Sequence, residues 1–195
     1  MKLARVPELH LDVVDGVFVS NISWPYSPLG RPADAASLLD KFSLEVDLMV
    51  SDPLPAAKAW LAAGADLLVF HVETITPKDF AAFAKEATVS VGICALQDTP
   101  QEVLTEYLPT ADYVQVMGIA TIGAQGQPFD DRVFDRIAWL KTIAPQMPIS
   151  IDGGVNADTL PKIIPHELHR YIVGSAIVGK ENPQKAYDTL VHKHL

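Results

Sequence analysis

Four side chains in this sequence have the types and placement to hold a divalent cation: His10, Asp12, Asp47 and Asp152. His10 and Asp12 stand at i and i+2 in ELHLDVV (8–14). In a strand both point to one side, with Cα atoms about 6–7 Å apart, which suits one ion bound through nitrogen and oxygen. Taken alone, HLD reads more readily as a surface histidine beside a capping aspartate. Two further strands change that reading. Asp47 is a charge inside the apolar run LEVDLMV (44–50), where an unpaired carboxylate is costly. Asp152 ends the apolar run ISID (149–152) and is followed by two glycines. Asp12 and Asp152 are 140 residues apart, so only tertiary folding brings them together. Strands that end in His or Asp, with chemistry on that rim, are the working pattern of the (β/α) barrel.

Glycines supply the other half of a site. Gly123, Gly126, Gly153, Gly154 and Gly174 all follow strand ends, and Gly174 precedes Ser175. Each alone is an ordinary turn residue. Clustered in successive βα loops, they let backbone N–H groups approach an anion, and barrels bind phosphate beyond their last two strands.

The elements that must position these residues follow from the apolar pattern. Short β-branched runs predict strands at 8–14, 44–50, 67–72, 89–95, 113–118, 148–152 and 170–175. Helical periodicity predicts helices near 33–42, 53–64, 77–87, 99–110, 130–143, 156–166 and 182–193. Asp52, Thr76, Thr99 and Asn182 each precede a proline, a pattern that marks helix starts. The alternation implies a parallel sheet covered by helices, an α/β fold of TIM-barrel type in a single domain over residues 1–195. Seven strands are recognisable where a complete barrel has eight, so the chain is expected to lack the first βα unit. That leaves the strands at 8–14 and 170–175 facing each other across a gap. Direct pairing, residues 1–7 or a partner subunit would close it, and a homo-oligomer is the preferred expectation.

Several segments together resemble the ribulose-phosphate 3-epimerases, (β/α)8 barrels that interconvert ketopentose phosphates. They are LHLDVVDGVFVSN (9–21), VDLMVSDP (46–53), AGADLLVFHVE (63–73), VGICALQDTP (91–100), VMGIATIGAQGQPF (116–129), IDGGVNADT (151–159) and VGSAIVGKENP (173–183). The resemblance implies His10, Asp12 and Asp152 as metal ligands, Asp12 as general base and Asp152 as general acid. It also implies that Gly123, Ala124, Gln125, Gly126, Gly153, Gly154, Gly174 and Ser175 hold substrate, chiefly its phosphate. Epimerising a carbon beside a ketone removes its proton and returns one to the opposite face. Two carboxylates do that proton work while a divalent metal (Zn, Mn, Mg or Fe) stabilises the enediolate. Three differences stand out. Asp47 occupies the place of the family's fourth ligand, a histidine in D-x-H-L-M, which predicts a shift from Zn²⁺ towards harder Mg²⁺ or Mn²⁺. The family's S-x-D-type first strand has no counterpart. The phosphate loop is one residue longer than N-P-G-F-G-G-Q-x-F and lacks its proline. These differences keep a second reading open, a relative that binds a phosphosugar without turning it over, or serves as an interaction protein. The absence of D-x-K-x-x-D argues against an aldol or decarboxylase relative of the hexulose-phosphate type.

The remaining candidates are read as structure. His71 and Glu73 share a strand face, and His71 is expected to be a packed rim histidine, with a substitute metal ligand as the alternative. Met49 and Met117 stand where the family lines its site, and core packing explains them equally well. Trp24 and Tyr26 suggest an ordered loop at the mouth, and His192 and His194 a solvated helix end. Cys94, the one cysteine, lies in the apolar run VSVGICAL and is expected to be a buried thiol. A net charge of −9 with no basic run argues against nucleic acid or an anionic membrane as partner. With no apolar stretch of about 18–20 residues either, a cytoplasmic protein acting on a small phosphorylated ketose is expected.

Overall fold

A computed structural model of the chain describes residues 8–35, 42–124 and 126–194. Seven parallel strands lie side by side in sequence order: β1 Glu8–Val14, β2 Ser43–Met49, β3 Leu67–His71, β4 Ser90–Cys94, β5 Tyr113–Met117, β6 Ile149–Asp152 and β7 Arg170–Tyr171. The helices are α1 Pro53–Ala63, α2 Pro77–Glu86, α3 Val133–Ile143, α4 Leu160–Ile163, α5 Ser175–Val178 and α6 Pro183–His194. This is the expected TIM-type α/β architecture.

Alternation within each strand sorts two environments. In β2, Leu44, Val46 and Leu48 join the layer between sheet and helices, which also holds Trp60 of α1, Phe80 of α2 and Leu140 of α3. Met49 belongs to a second cluster with Val14, Val69, Cys94, Tyr113 and Met117, inside the curve of the sheet. Side chains in a strand alternate, so Glu45 and Asp47 share that inner face with Met49. Their neighbours there are also polar: His71, Gln115 and Ser150 are buried. The central strands are buried on both faces, yet the inner one carries these polar groups beside its apolar ones.

Some predicted helices are shorter than their periodicity suggests. The segment 99–110 forms only a 3₁₀ stretch at Gln101–Glu106. The segment 156–166 splits into α4 and a 3₁₀ turn at Ile164–His166. Pro165 has no N–H with which to continue the ladder. The helix expected at 33–42 begins as a 3₁₀ turn at Pro32–Ala35, and its remainder falls largely outside the described residues. Thr76 caps α2 through Asp79 N, and Asn182 accepts from Lys185 N at the start of α6. Asp52 makes no such bond, and Thr99 donates instead to Glu73.

Across the gap, β1 pairs with β2 and β7 with β6, and the sheet order does not close. Direct pairing is therefore not how this edge is managed among the described residues. Met1–Pro7 lie outside them. Side chains cross instead: Arg170 of β7 forms an ion pair with Glu8 of β1 and reaches Glu45 of β2 at 2.8 Å.

Candidate active site

Parallel register sets the site in two layers. Asp12 and Asp47 are direct partners across β1 and β2, and His10 and Glu45 are partners one layer beneath. Asp152, the last residue of β6, arrives from the far side of the sheet. One ligand atom from each of His10, Asp12, Asp47 and Asp152 lies within 4.8 Å of all the others. His10 Nε2 stands 3.3 Å from Asp12 Oδ1 and 3.9 Å from Asp47 Oδ2. The four predicted ligands thus converge.

These residues fit a metal ion. His10 Nε2 and Asp12 Oδ1 are buried and have no hydrogen-bond partner. Orphaned polar atoms in such a position are costly unless something satisfies them. The two atoms stand 3.3 Å apart, close enough to share one divalent ion. Asp47 is fully buried and accepts from His71 Nε2 at 3.0 Å and Gln115 Nε2 at 2.8 Å. A carboxylate has about four lone-pair sites, so both oxygens retain capacity for an ion.

The charge balance is set by burial and proximity. Burial, with the nearby Asp12 and Asp47 carboxylates, pushes Asp152 up to about 7 against the opposing pull of His10. For His10, burial favours the neutral ring, but the carboxylates of Asp12 and Glu45 beside its two nitrogens and the charge of Asp152 outweigh it and raise its pKa well above 6.5. His71 moves the same way: burial opposes, and Asp47 prevails. All three shifts have one consequence for stability. The histidines stabilise the fold fully below about 6.5 and lose that contribution as pH rises through their folded values. Between 3.8 and about 7 folded Asp152 retains a proton that the unfolded chain has released, so its contribution also falls. Metal-free protein should therefore melt at progressively lower temperature from about pH 5.5 to 8.5, by roughly 2–4 °C per kcal/mol lost. Saturating divalent metal should reverse the trend, because the ion displaces those protons. A metal-free melting temperature that rises over the interval would contradict this charge assignment.

Above the cluster lies a cleft open to solvent, into which Asp12 and Asp152 face. Its walls include Gly123, Ala124 and Gly126 from the loop after β5, Gly153 and Gly154 after β6, and Gly174 and Ser175 after β7. Gln125, the eighth residue expected there, lies outside the described residues. Met49 and Met117 form part of the floor. Gly153 and Gly154 have φ of +92° and +69°, a left-handed turn that side chains resist. A Cβ on Gly153 would also meet Ile119 at 2.7 Å. The turn brings the chain back under Phe129, whose bridge to Ile119 closes the base of the 120–128 loop. Asn21 Nδ2 donates to Gly123 O at 2.8 Å, tying the loop after β1 across the mouth. Asp15 is not part of the cluster; it accepts from the backbone of Val17, Phe18 and Ser51 and organises that loop.

A profile of the ribulose-phosphate 3 epimerase family matches residues 2–178. This chain belongs to that family. It is 32% identical to the ribulose-phosphate 3-epimerase of Bacillus subtilis over 184 residues, 91% of this chain and 82% of the relative. It is likewise 32% identical to that of Treponema pallidum over 173 residues, 86% and 77% of the two chains. Its fold is similar to 3-hexulose-6-phosphate synthase of Salmonella typhimurium, with TM-score 0.70 at 16% identity over 97% of this chain and all of the other. It is also similar to KGPDC from Streptococcus mutans in complex with D-R5P, with TM-score 0.69 at 15% identity over 95% and 97%. Those two likenesses describe architecture alone. As a member of the epimerase family the chain is an isomerase-class enzyme, and none of its helices is long and apolar enough to cross a membrane among the described residues.

Several residues of this epimerase site were not singled out by sequence reasoning. Gln115 binds Asp47 from β5, and Glu45 accepts from His10, Tyr113 and Arg170. His71 is more than a packed histidine, since it holds Asp47 by hydrogen bond while Phe18 packs on its ring at 5.3 Å. A signal was present: Glu45/Asp47, Tyr113/Gln115 and Ser150/Asp152 are all i, i+2 polar pairs in otherwise apolar strands. Gly92 is a related device. A Cβ there would lie 2.4 Å from the Tyr113 ring, so the glycine makes room for the tyrosine that reaches Glu45.

Proposed function

We propose that this epimerase interconverts ketopentose phosphates of the ribulose 5-phosphate/xylulose 5-phosphate type at C3, with Asp12 and Asp152 as its two acid/base groups. The observation that carries the reading is that both carboxylates face one cleft although they come from β1 and β6, which are not neighbours in the sheet. Asp12 removes the C3 proton on one face, the electrons moving onto the C2 carbonyl oxygen to give an enediolate. Asp152 returns a proton to C3 from the other face, and the roles exchange in the reverse direction. A group held near 7 has both protonation states available at neutral pH, as such an exchange requires.

His10, Asp12, Asp47 and Asp152 would hold one divalent ion. When bound, it supplies Lewis-acid stabilisation of the negative charge that develops on the substrate oxygens. With three carboxylates and one imidazole the donor set favours Mg²⁺ or Mn²⁺ more than a two-histidine set would, with Zn²⁺ and Fe²⁺ as the other candidates. The glycine loops at 123–126 and 153–154, with Gly174 and Ser175, take the phosphate through backbone N–H groups. A homo-oligomer belongs to the same reading, since β1 and β7 each leave one edge without a strand partner among the described residues.

Incubating the purified, metal-supplemented protein with ribulose 5-phosphate in D₂O tests the activity by NMR. Deuterium should enter C3 and xylulose 5-phosphate should accumulate. Asp47, standing where the family carries histidine, favours the competing reading of a phosphosugar-binding relative. That reading replaces ours if ribulose 5-phosphate binds but no C3 exchange occurs with Mg²⁺, Mn²⁺, Zn²⁺ or Fe²⁺.

A further inference from the structure

We propose that Glu45 is a positioning residue that fixes the His10 ring, and that Arg170 and Tyr113 hold Glu45 in place from across the open side of the sheet. The inference rests on His10 being a metal ligand, as read above. Glu45 is buried at 1% exposure, and both of its oxygens are engaged. Oε2 lies 2.6 Å from His10 Nδ1, while Oε1 accepts from Tyr113 Oη at 2.6 Å and pairs with Arg170 Nη2 at 2.8 Å. With its Nδ1–H donated to Glu45, the imidazole can present only Nε2 to Asp12 and Asp47, and that is the atom left without a hydrogen-bond partner. A carboxylate behind a ligating histidine fixes ring orientation and tautomer and raises ligand basicity.

What holds Glu45 is specific to this chain's topology. The Arg170 guanidinium lies 4.6 Å above the Tyr113 ring and also pairs with Glu8. One side chain from β7 thereby links β1, β2 and β5 where β1 and β7 share no backbone hydrogen bonds. Arg is suited to the task, because its planar fork can serve two carboxylates while its face stacks on an aromatic ring. A purely structural role for Glu45, neutralising Arg170, would leave its bond to His10 without consequence at the metal.

Titration of Mn²⁺ into metal-free protein, followed by calorimetry, separates these roles without measuring turnover. Glu45→Gln should weaken Mn²⁺ binding by about 10–100-fold, and His10→Ala by at least as much. The double variant should bind no more weakly than His10→Ala alone, since Glu45 acts through that ring. Glu45→Gln with wild-type affinity, beside a weakened His10→Ala, overturns the positioning role and leaves the ligand assignment standing. His10→Ala with wild-type affinity overturns the ligand assignment and the positioning role together. An added loss in the double variant shows that Glu45 acts other than through His10 and overturns the proposal. Metal-free melting temperature reports whether each variant folds. If Glu45→Gln does not, Tyr113→Phe, which frees the carboxylate by removing one donor, should weaken Mn²⁺ several-fold, and unchanged affinity there overturns the proposal.

Discussion

Asp152→Asn should lower epimerisation of ribulose 5-phosphate by about 10²–10⁴-fold, the range typical for loss of a positioned acid or base. An amide neither donates nor accepts that proton at neutral pH. Asp12 would remain on its own face, so C3 exchange with solvent should survive in at most one of the two epimers. The fold should tolerate the change. Asp152 is nearly isosteric with asparagine, and in the metal-free protein it is only partly ionised at neutral pH, raised to about 7 by burial and by Asp12 and Asp47. Removing its titration should also flatten part of the fall in metal-free stability between about pH 5.5 and 8.5. Turnover within a few-fold of wild type, with both epimers still exchanging, would remove Asp152 from the mechanism.

Asp47→His is expected to shift metal preference towards Zn²⁺ over Mg²⁺ by more than about tenfold, because ~1.4 kcal/mol of differential interaction has that effect. Two changes act together. One negative charge leaves a cluster that holds three carboxylates, and a borderline-soft nitrogen replaces a hard oxygen. The surrounding groups limit the gain. Asp47 accepts hydrogen bonds from His71 and Gln115, and His71 would lose the carboxylate that raises its pKa. Some stability should be lost, most visibly in the metal-free form, so melting must be compared with and without metal. Competitive titration of the two metals reads the preference directly. If Lewis acidity limits the rate, turnover with Zn²⁺ should rise. If neither wild type nor Asp47→His exchanges the C3 proton of any ketose phosphate, the binding-protein reading stands.

By itself the sequence determined the local features of this protein. The strand runs at 8–14, 44–50 and 148–152 appear in the structure within a residue or two, because β-branched apolar runs between turn residues admit few alternatives. The i, i+2 spacing of His10 and Asp12 and the glycine pairs after strand ends were legible for the same reason. Where the helix fell short at Ile164–His166, proline overrides a periodicity that reports only which face is apolar. What only the tertiary structure decided is which polar residues meet. Glu45 looked like one more charge in the sequence, yet it faces inward because β2 alternates, and it meets His10 because β1 and β2 pair in that register. Tyr113 and Arg170 reach it only because the sheet curves, bringing β5 and β7 towards β2. Contacts of that kind depend on strand order, register and curvature, which no single segment encodes. The unclosed edge is decided at the same level: whether β1 and β7 pair depends on backbone groups far apart in sequence, and here an arginine spans the opening instead.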